Sequence, residues 1–307
     1  MNRASADFIL FAQHGWADDN RALLGLARAL ATEQTHVVAP SLSYAQTWLR
    51  IAPLIDAVEA IAAEAVARYP AAPIRIIGHS MGGLIWLEVL SRHPQWWDRV
   101  HSLVLVASPV GGADLGRLLD PLALGIGIAA DLGRSRCAIA EKIATHIPTL
   151  VIAGDIDDGS DGTIPVACTR FAHTRFVQLP GLSHAVMRNH PTVASTIAQF
   201  WADTSLGDIL EHHPEIALLR SLFWMTDGHP RDFPKAKILF TLKDGSTIRA
   251  WRSPFGVLHI YVADVEGQCL YSGFIGWFHE AEVWQTLQVI KAEQGIAHQP
   301  IRPIRFR

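Results

Sequence analysis

The stretch Pro73-Ile74-Arg75-Ile76-Ile77-Gly78-His79-Ser80-Met81-Gly82-Gly83, running on into Leu84-Ile85-Trp86-Leu87-Glu88-Val89-Leu90, decides how this chain folds. It passes from a short apolar run into a helical pattern through a glycine-rich turn, which reads as strand, elbow, helix. A serine hydroxyl is a poor nucleophile at neutral pH and becomes reactive only beside a base, with backbone donors aimed at the charge it creates. A tight turn between strand and helix exposes Ser80 in that way. The crowding in such a turn requires residues without side chains two positions to either side of the serine, and Gly78 and Gly82 supply them, with Gly83 relieving the next contact. In a chain holding 23 glycines the pattern Gly-x-Ser-x-Gly alone is common, and its strand and helix context sets this one apart.

Outward from the elbow, residues 1–203 alternate between two periods. Short runs rich in Val, Ile and Leu at 8–12, 36–39, 74–77, 103–107, 149–153 and 175–179 predict strands buried on both faces. Between them lie helical patterns at 18–33, 80–93 and 191–201, and one carried by Ile51, Leu54, Ile55, Val58, Ile61 and Ala62, with Pro53 acceptable in its first turn. This alternation predicts an α/β fold, a parallel sheet with helices on both faces.

The segment 111–146 is longer than one crossover helix needs and repeats Ala-Asp-Leu-Gly-Arg at 113–117 and 130–134. Its apolar centre reads as a lid or cap over a greasy pocket, or equally as a packed helical excursion. Gly125-Ile126-Gly127 imitates a dinucleotide fingerprint but follows no strand, so no cofactor is expected from it.

Beyond residue 203 the texture changes. The first 203 residues carry a single lysine, Lys142, whereas the rest carry four, together with four of the ten tryptophans. A linker over 204–234, with Pro214, Pro230 and Pro234, leads into a small antiparallel module over 235–307: a hairpin turning at Asp244-Gly245, a second turning at Asp264-Val265-Glu266-Gly267, and a helix with Val283, Trp284, Leu287 and Ile290 on one face. This module is expected to supply no catalytic group and to serve for support, lid contact or partner binding.

Composition narrows the classes. Half of the residues are hydrophobic, enough for a sizeable core, and the longest apolar stretch, residues 122–130, is far below the roughly 20 residues that cross a bilayer. No transmembrane segment is expected, although peripheral lipid contact is compatible with the apolar lid. The apolar run 8–12 is too short for a signal-peptide core, and three cysteines without metal-ligand spacing suit a reducing compartment, so the expected location is cytoplasmic. A net charge of -3 without a basic block argues against nucleic acid, despite Arg302, Arg305 and Arg307 near the end. His212-His213 and His279-Glu280 are not spaced as zinc ligands, so no metal is expected either.

If Ser80 is the nucleophile, its base belongs in the loop after the last strand and its acid in the loop after the strand before that. Pro180-Gly181-Leu182-Ser183-His184 offers the base, and the loop 154–165 offers four aspartates, Asp155, Asp157, Asp158 and Asp161. Donors for an oxyanion belong on Met81 and on the loop Gln13-His14-Gly15-Trp16. His79 and His14 read as supports of the elbow and of that loop rather than as bases.

Together, His-Gly-x after the first strand, Gly-His-Ser-Met-Gly-Gly, Asp-Gly-x-Ile-Pro and a late histidine make residues 7–201 similar to the α/β-hydrolase superfamily, in its compact lipase and esterase branch. Ser108-Pro109-Val110-Gly111-Gly112 resembles the post-strand segment of lipases. The resemblance implies Asp161 as the acid and the Trp16 N–H as the second oxyanion donor. It implies a serine hydrolase cleaving carboxylic esters, lipid esters included, through an acyl-enzyme on Ser80. The alternatives are a thioesterase or acyltransferase on the same triad, or a non-catalytic scaffold with an interaction tail. The small-molecule or lipid ester substrate, its acyl length and the oligomeric state are not written in the sequence.

Overall fold

The computed structural model describes residues 6–42, 46–48, 50–112, 128–205 and 207–296, in two compact units, Met1–Glu211 and His212–Arg307. In the first unit the six expected strands are β1 Phe8–Gln13, β2 Thr35–Val38, β3 Ile74–His79, β4 Val100–Val106, β5 Thr149–Asp155 and β6 Arg175–Pro180. They pair in parallel in the order β2-β1-β3-β4-β5-β6, and a short strand β7, Asp208–Ile209, adds antiparallel to β6.

Alternation along each strand sends successive side chains to opposite faces, so one sheet builds two cores. Ile9 and Phe11 of β1, with Ile74 and Ile76 of β3, enter one; Leu10 and Ala12, with Ile77, enter the other. Helices α2 (Ala52–Arg68) and α3 (Met81–Arg92) cover the first face, while α1 (Arg21–Leu30) covers the second. Pro53 lies in the first turn of α2, where its missing N–H costs nothing. Arg75 is the one charge inside β3, and it is accommodated by stacking over Phe8 at 3.8 Å and over Trp201 at 4.2 Å. Helix α1 begins at Arg21 rather than at residue 18, because Ala17 takes a positive φ of 52° and residues 14–20 form a loop.

Of the expected lid, residues 113–127, with the first copy of the repeat and the Gly125-Ile126-Gly127 motif, lie outside the described residues. The described remainder is packed into the body. Helices α4 (Ile128–Gly133) and α5 (Cys137–Ala144) bury Leu132, Ala140 and Ile143. Between them Arg136, almost wholly buried, donates to Glu88 of α3 at 2.9 Å and to the Asp131 and Arg134 carbonyls. Asp131 in turn accepts from the Ile51 N–H at the start of α2 (2.9 Å). Among the described residues this unit also has a one-turn helix α6 (Val166–Thr169) and the longer α7 (Pro191–Ala202), the latter on the same face as α1.

The second unit is a five-stranded antiparallel sheet, β8-β12-β11-β10-β9, formed by β8 Met225–Asp227, β9 Lys237–Thr241, β10 Thr247–Arg252, β11 Leu258–Ala263 and β12 Cys269–Ile275. The expectation of a linker over 204–234 is corrected here, since that stretch carries β7, helix α8 (Pro214–Ser221) and β8. Its prolines start structure rather than prevent it. Pro214 occupies the first turn of α8, and Pro230 opens a 3-10 turn. Helix α9, Glu280–Glu293, lays Val283, Leu287 and Ile290 on a core that also holds Leu219, Ile248, Ile260 and Ile275.

Candidate active site

Ser80 follows β3 and precedes α3 with φ 55° and ψ -126°, a conformation that costs a non-glycine residue energy and that the surrounding backbone must hold. The hold is tight. A Cβ on Gly78 would meet the backbone of Gly82 and Gly83, and one on Gly83 would run into the Ser108 side chain. A Cβ on Gly82 would strike the carbonyl oxygens of Gln13 and His14, backbone atoms that cannot swing away. Gly82→Ala is therefore expected to cost about 3 kcal/mol or more, read as a collapse of soluble yield or of the thermal midpoint.

Around the elbow the expected groups converge. Ser80 Oγ lies 3.1 Å from His184 Nε2, and His184 Nδ1 lies 2.7 Å from Asp161 Oδ2. A carboxylate facing Nδ1 requires the proton on that nitrogen, which leaves Nε2 with a lone pair to accept the Ser80 hydroxyl proton. Of the four aspartates in the loop, Asp161 is 2 % exposed and is the one bonded to His184. Its other oxygen accepts the Thr163 and Ile164 N–H groups at 2.9 and 2.6 Å, and its carbonyl accepts the His184 N–H at 2.9 Å. The carboxylate is thus aimed from both sides. Asp155 instead braces the loop, accepting from Gly159 N–H and Gln178 Nε2, while Asp157 accepts from Ser160 and Asp158 is exposed.

The loop after β1 passes directly over the serine, so close that a Cβ on Gly15 would come within 2.8 Å of Ser80 Cβ and 3.3 Å of the Met81 nitrogen. His14 fastens this loop: Nδ1–H donates to the Gly15 carbonyl (3.0 Å) and Nε2 accepts the Leu42 N–H (2.9 Å). Ala17 N–H adds a bond to Thr47 Oγ1 at 3.3 Å. Trp16 thereby lies on the wall of a cleft of about 230 Å³ beside Ser80, with Pro109, Leu132, His184 and Arg188. Met81 is the first residue of α3, where an N–H has no partner within the helix.

His79 supports the site from below. Its Nε2–H donates to the His184 carbonyl (3.1 Å) while its Nδ1 is buried without a partner. Burial, reinforced by the His184 and Arg188 charges, holds its pKa well below the ordinary value, and burial lowers that of His14 against the pull of the Gly15 carbonyl. At neutral pH burial thus favours the neutral form of both rings. Below the ordinary value of 6.5 the unfolded chain takes up protons that the folded chain refuses, so the stability their burial allows is complete above that pH and drains as pH falls. The thermal midpoint should accordingly drop between about pH 7.5 and about pH 5.5, and drop less in His79→Gln.

One feature of the cleft has no counterpart in the sequence motifs. Arg188 Nη1 donates to Asp18 Oδ1 at 2.6 Å, tying the loop that carries Trp16 to the segment after His184. Among the described residues no group of three or more His, Cys, Asp or Glu could hold a metal ion, and no helix is long and apolar enough to cross a membrane.

The sequence of residues 4–126 matches the family described as serine aminopeptidase, S33, a match covering less than half of the chain and including Trp16, Ser80 and Met81 but neither Asp161 nor His184. No curated protein matches the sequence. Among solved structures, Est1E of Butyrivibrio proteoclasticus with ferulic acid bound superposes with a TM-score of 0.51 at 14% identity, over 66% of this chain and 91% of that one. Lipase BlEst2 of Bacillus licheniformis gives 0.48 at 13% identity over 63% and 91%, and phospholipase PlaB of Legionella pneumophila gives 0.48 at 17% over 64% and 58%.

Proposed function

Because this chain carries the α/β-hydrolase fold, we propose that it is a serine hydrolase cleaving carboxylic esters through an acyl-enzyme on Ser80. The observation that supports this reading most is the unbroken relay from Asp161 through His184 to Ser80, at 2.7 and 3.1 Å, on a strained and glycine-buttressed elbow. In this mechanism His184 Nε2 takes the proton as Ser80 Oγ attacks the ester carbonyl, and Asp161 holds the imidazole in the tautomer that accepts it. The Trp16 and Met81 N–H groups receive the oxyanion. His184 then protonates the leaving alcohol, and water, deprotonated by the same nitrogen, releases the acid.

Esters are favoured over peptides with a free amino terminus by the charge in the cleft. An α-ammonium group needs an open carboxylate, and the Asp18 carboxylate is engaged by Arg188. Turnover of 4-nitrophenyl esters of increasing acyl length, measured beside aminoacyl 4-nitroanilides, tests this. Ester hydrolysis at least about tenfold more efficient in kcat/KM is expected. Preferential cleavage of the anilides would replace the ester reading with a peptidase one.

A further inference from the structure

At the end of the parallel sheet away from the elbow, where β3 and β4 begin, buried polar atoms gather without partners. Arg75 is the second residue of β3, five positions before Ser80 and so about 16 Å from it along the strand. Its guanidinium lies over two rings, Phe8 at 3.8 Å and Trp201 at 4.2 Å. Among the described residues it makes no hydrogen bond and no ion pair, and its Nε is buried. Burial alone lowers its pKa, with no described carboxylate close enough to oppose the shift.

The strands are irregular at the same place. Ile74 faces Val100, but Arg75 faces Ser102, which leaves His101 as an extra residue in β4. A bulge of this kind re-aims a side chain. His101 stands edge-on to Phe8 at 5.5 Å and so shares that ring with Arg75. Ser102 is wholly buried beside Arg75 in the register. Four atoms of this cluster, Arg75 Nε, His101 Nδ1, Ser102 Oγ and Trp201 Nε1, are buried without a hydrogen-bond partner among the described residues. Buried polar groups nearly always have partners, and four orphans in one cluster call for a ligand that supplies them.

We propose that Arg75, His101, Ser102 and Trp201 form a binding site for a tetrahedral oxyanion, phosphate either free or as the terminal group of a monoester. The charge selects the sign. A cation would meet the guanidinium, and a neutral ligand would leave it uncompensated in a partly desolvated place. The donors select the shape: two edges of a guanidinium fork, an indole N–H, a hydroxyl and an imidazole N–H exceed what the two oxygens of a carboxylate accept and suit the three or four of a phosphate. Phe8 and Trp201 hold the guanidinium by its faces, which leaves its edge, where the N–H groups lie, for the anion.

The test is calorimetric titration of the full chain with inorganic phosphate and with glycerol 3-phosphate, at an ionic strength fixed with sodium chloride. Wild type should bind one equivalent saturably, and Arg75→Met should weaken binding at least about thirtyfold. Trp201→Phe keeps a ring under the guanidinium and deletes only the indole N–H, so it should cost about tenfold, and it reads the same site should Arg75→Met fold poorly. Tighter binding of inorganic phosphate identifies the free anion as the ligand, and tighter binding of glycerol 3-phosphate a monoester; either result supports the site. The proposal does not rest on the hydrolase reading, so Ser80→Ala should bind as wild type does. Absence of saturable binding to wild type overturns the proposal, as does undiminished binding to well-folded Arg75→Met or Trp201→Phe. Acetate binding as tightly as phosphate overturns the tetrahedral class.

Discussion

Ser80→Ala is expected to lower ester turnover by about 10⁶, to a residual set by the oxyanion donors and by binding alone. Attack requires the hydroxyl, and no other nucleophile stands within reach of His184 Nε2 among its described hydrogen bonds. The fold should survive, because the serine Oγ sits at a cleft wall and its removal leaves Gly78, Gly82 and Gly83 in their contacts. Relief of the positive φ is not gained, since alanine at 55° is strained as serine is. Stopped-assay turnover with a 4-nitrophenyl ester, alongside a thermal melt, separates the two effects. A variant that keeps a tenth of the activity would remove Ser80 from the mechanism.

The second large effect is expected at Asp161. Asp161→Asn should cost about 10⁴ in kcat, through the tautomer rather than through lost packing. The oxygen that accepts the Thr163 and Ile164 N–H groups must remain an oxygen, so the new amide nitrogen turns toward His184. That nitrogen donates, which forces a lone pair onto Nδ1 and the proton onto Nε2, against the Ser80 hydroxyl. Asp155→Asn touches the loop brace at Asp157, Gly159 and Gln178 and should change kcat less than about tenfold. An inactive Asp155→Asn beside a nearly normal Asp161→Asn would reverse the assignment.

The contrast between these aspartates shows what the sequence could and could not reveal. Order along the chain placed an acid somewhere in 154–165, but spacing cannot say which carboxylate turns inward. Burial and two backbone N–H donors single out Asp161 physically. The parallel strands were legible because strands covered on both faces are continuous apolar runs, and the elbow because its glycines answer to backbone contacts. Strands β7 and β8, two and three residues long, carry too little period to be read, and prolines that open α8 and a 3-10 turn look in sequence like those of a linker. Asp18 and Arg188 are separated by 170 positions, and no local pattern announces their pairing.

The most direct measurement of the central claim is covalent labelling. A fluorophosphonate phosphonylates a serine that an adjacent base has activated, losing fluoride, and an unactivated hydroxyl does not react on the same timescale. Intact-mass analysis of the wild type should show one adduct, peptide mapping should place it on Ser80, and Ser80→Ala should remain unlabelled. Equal labelling of wild type and Ser80→Ala, or no labelling of a well-folded wild type, would contradict the account.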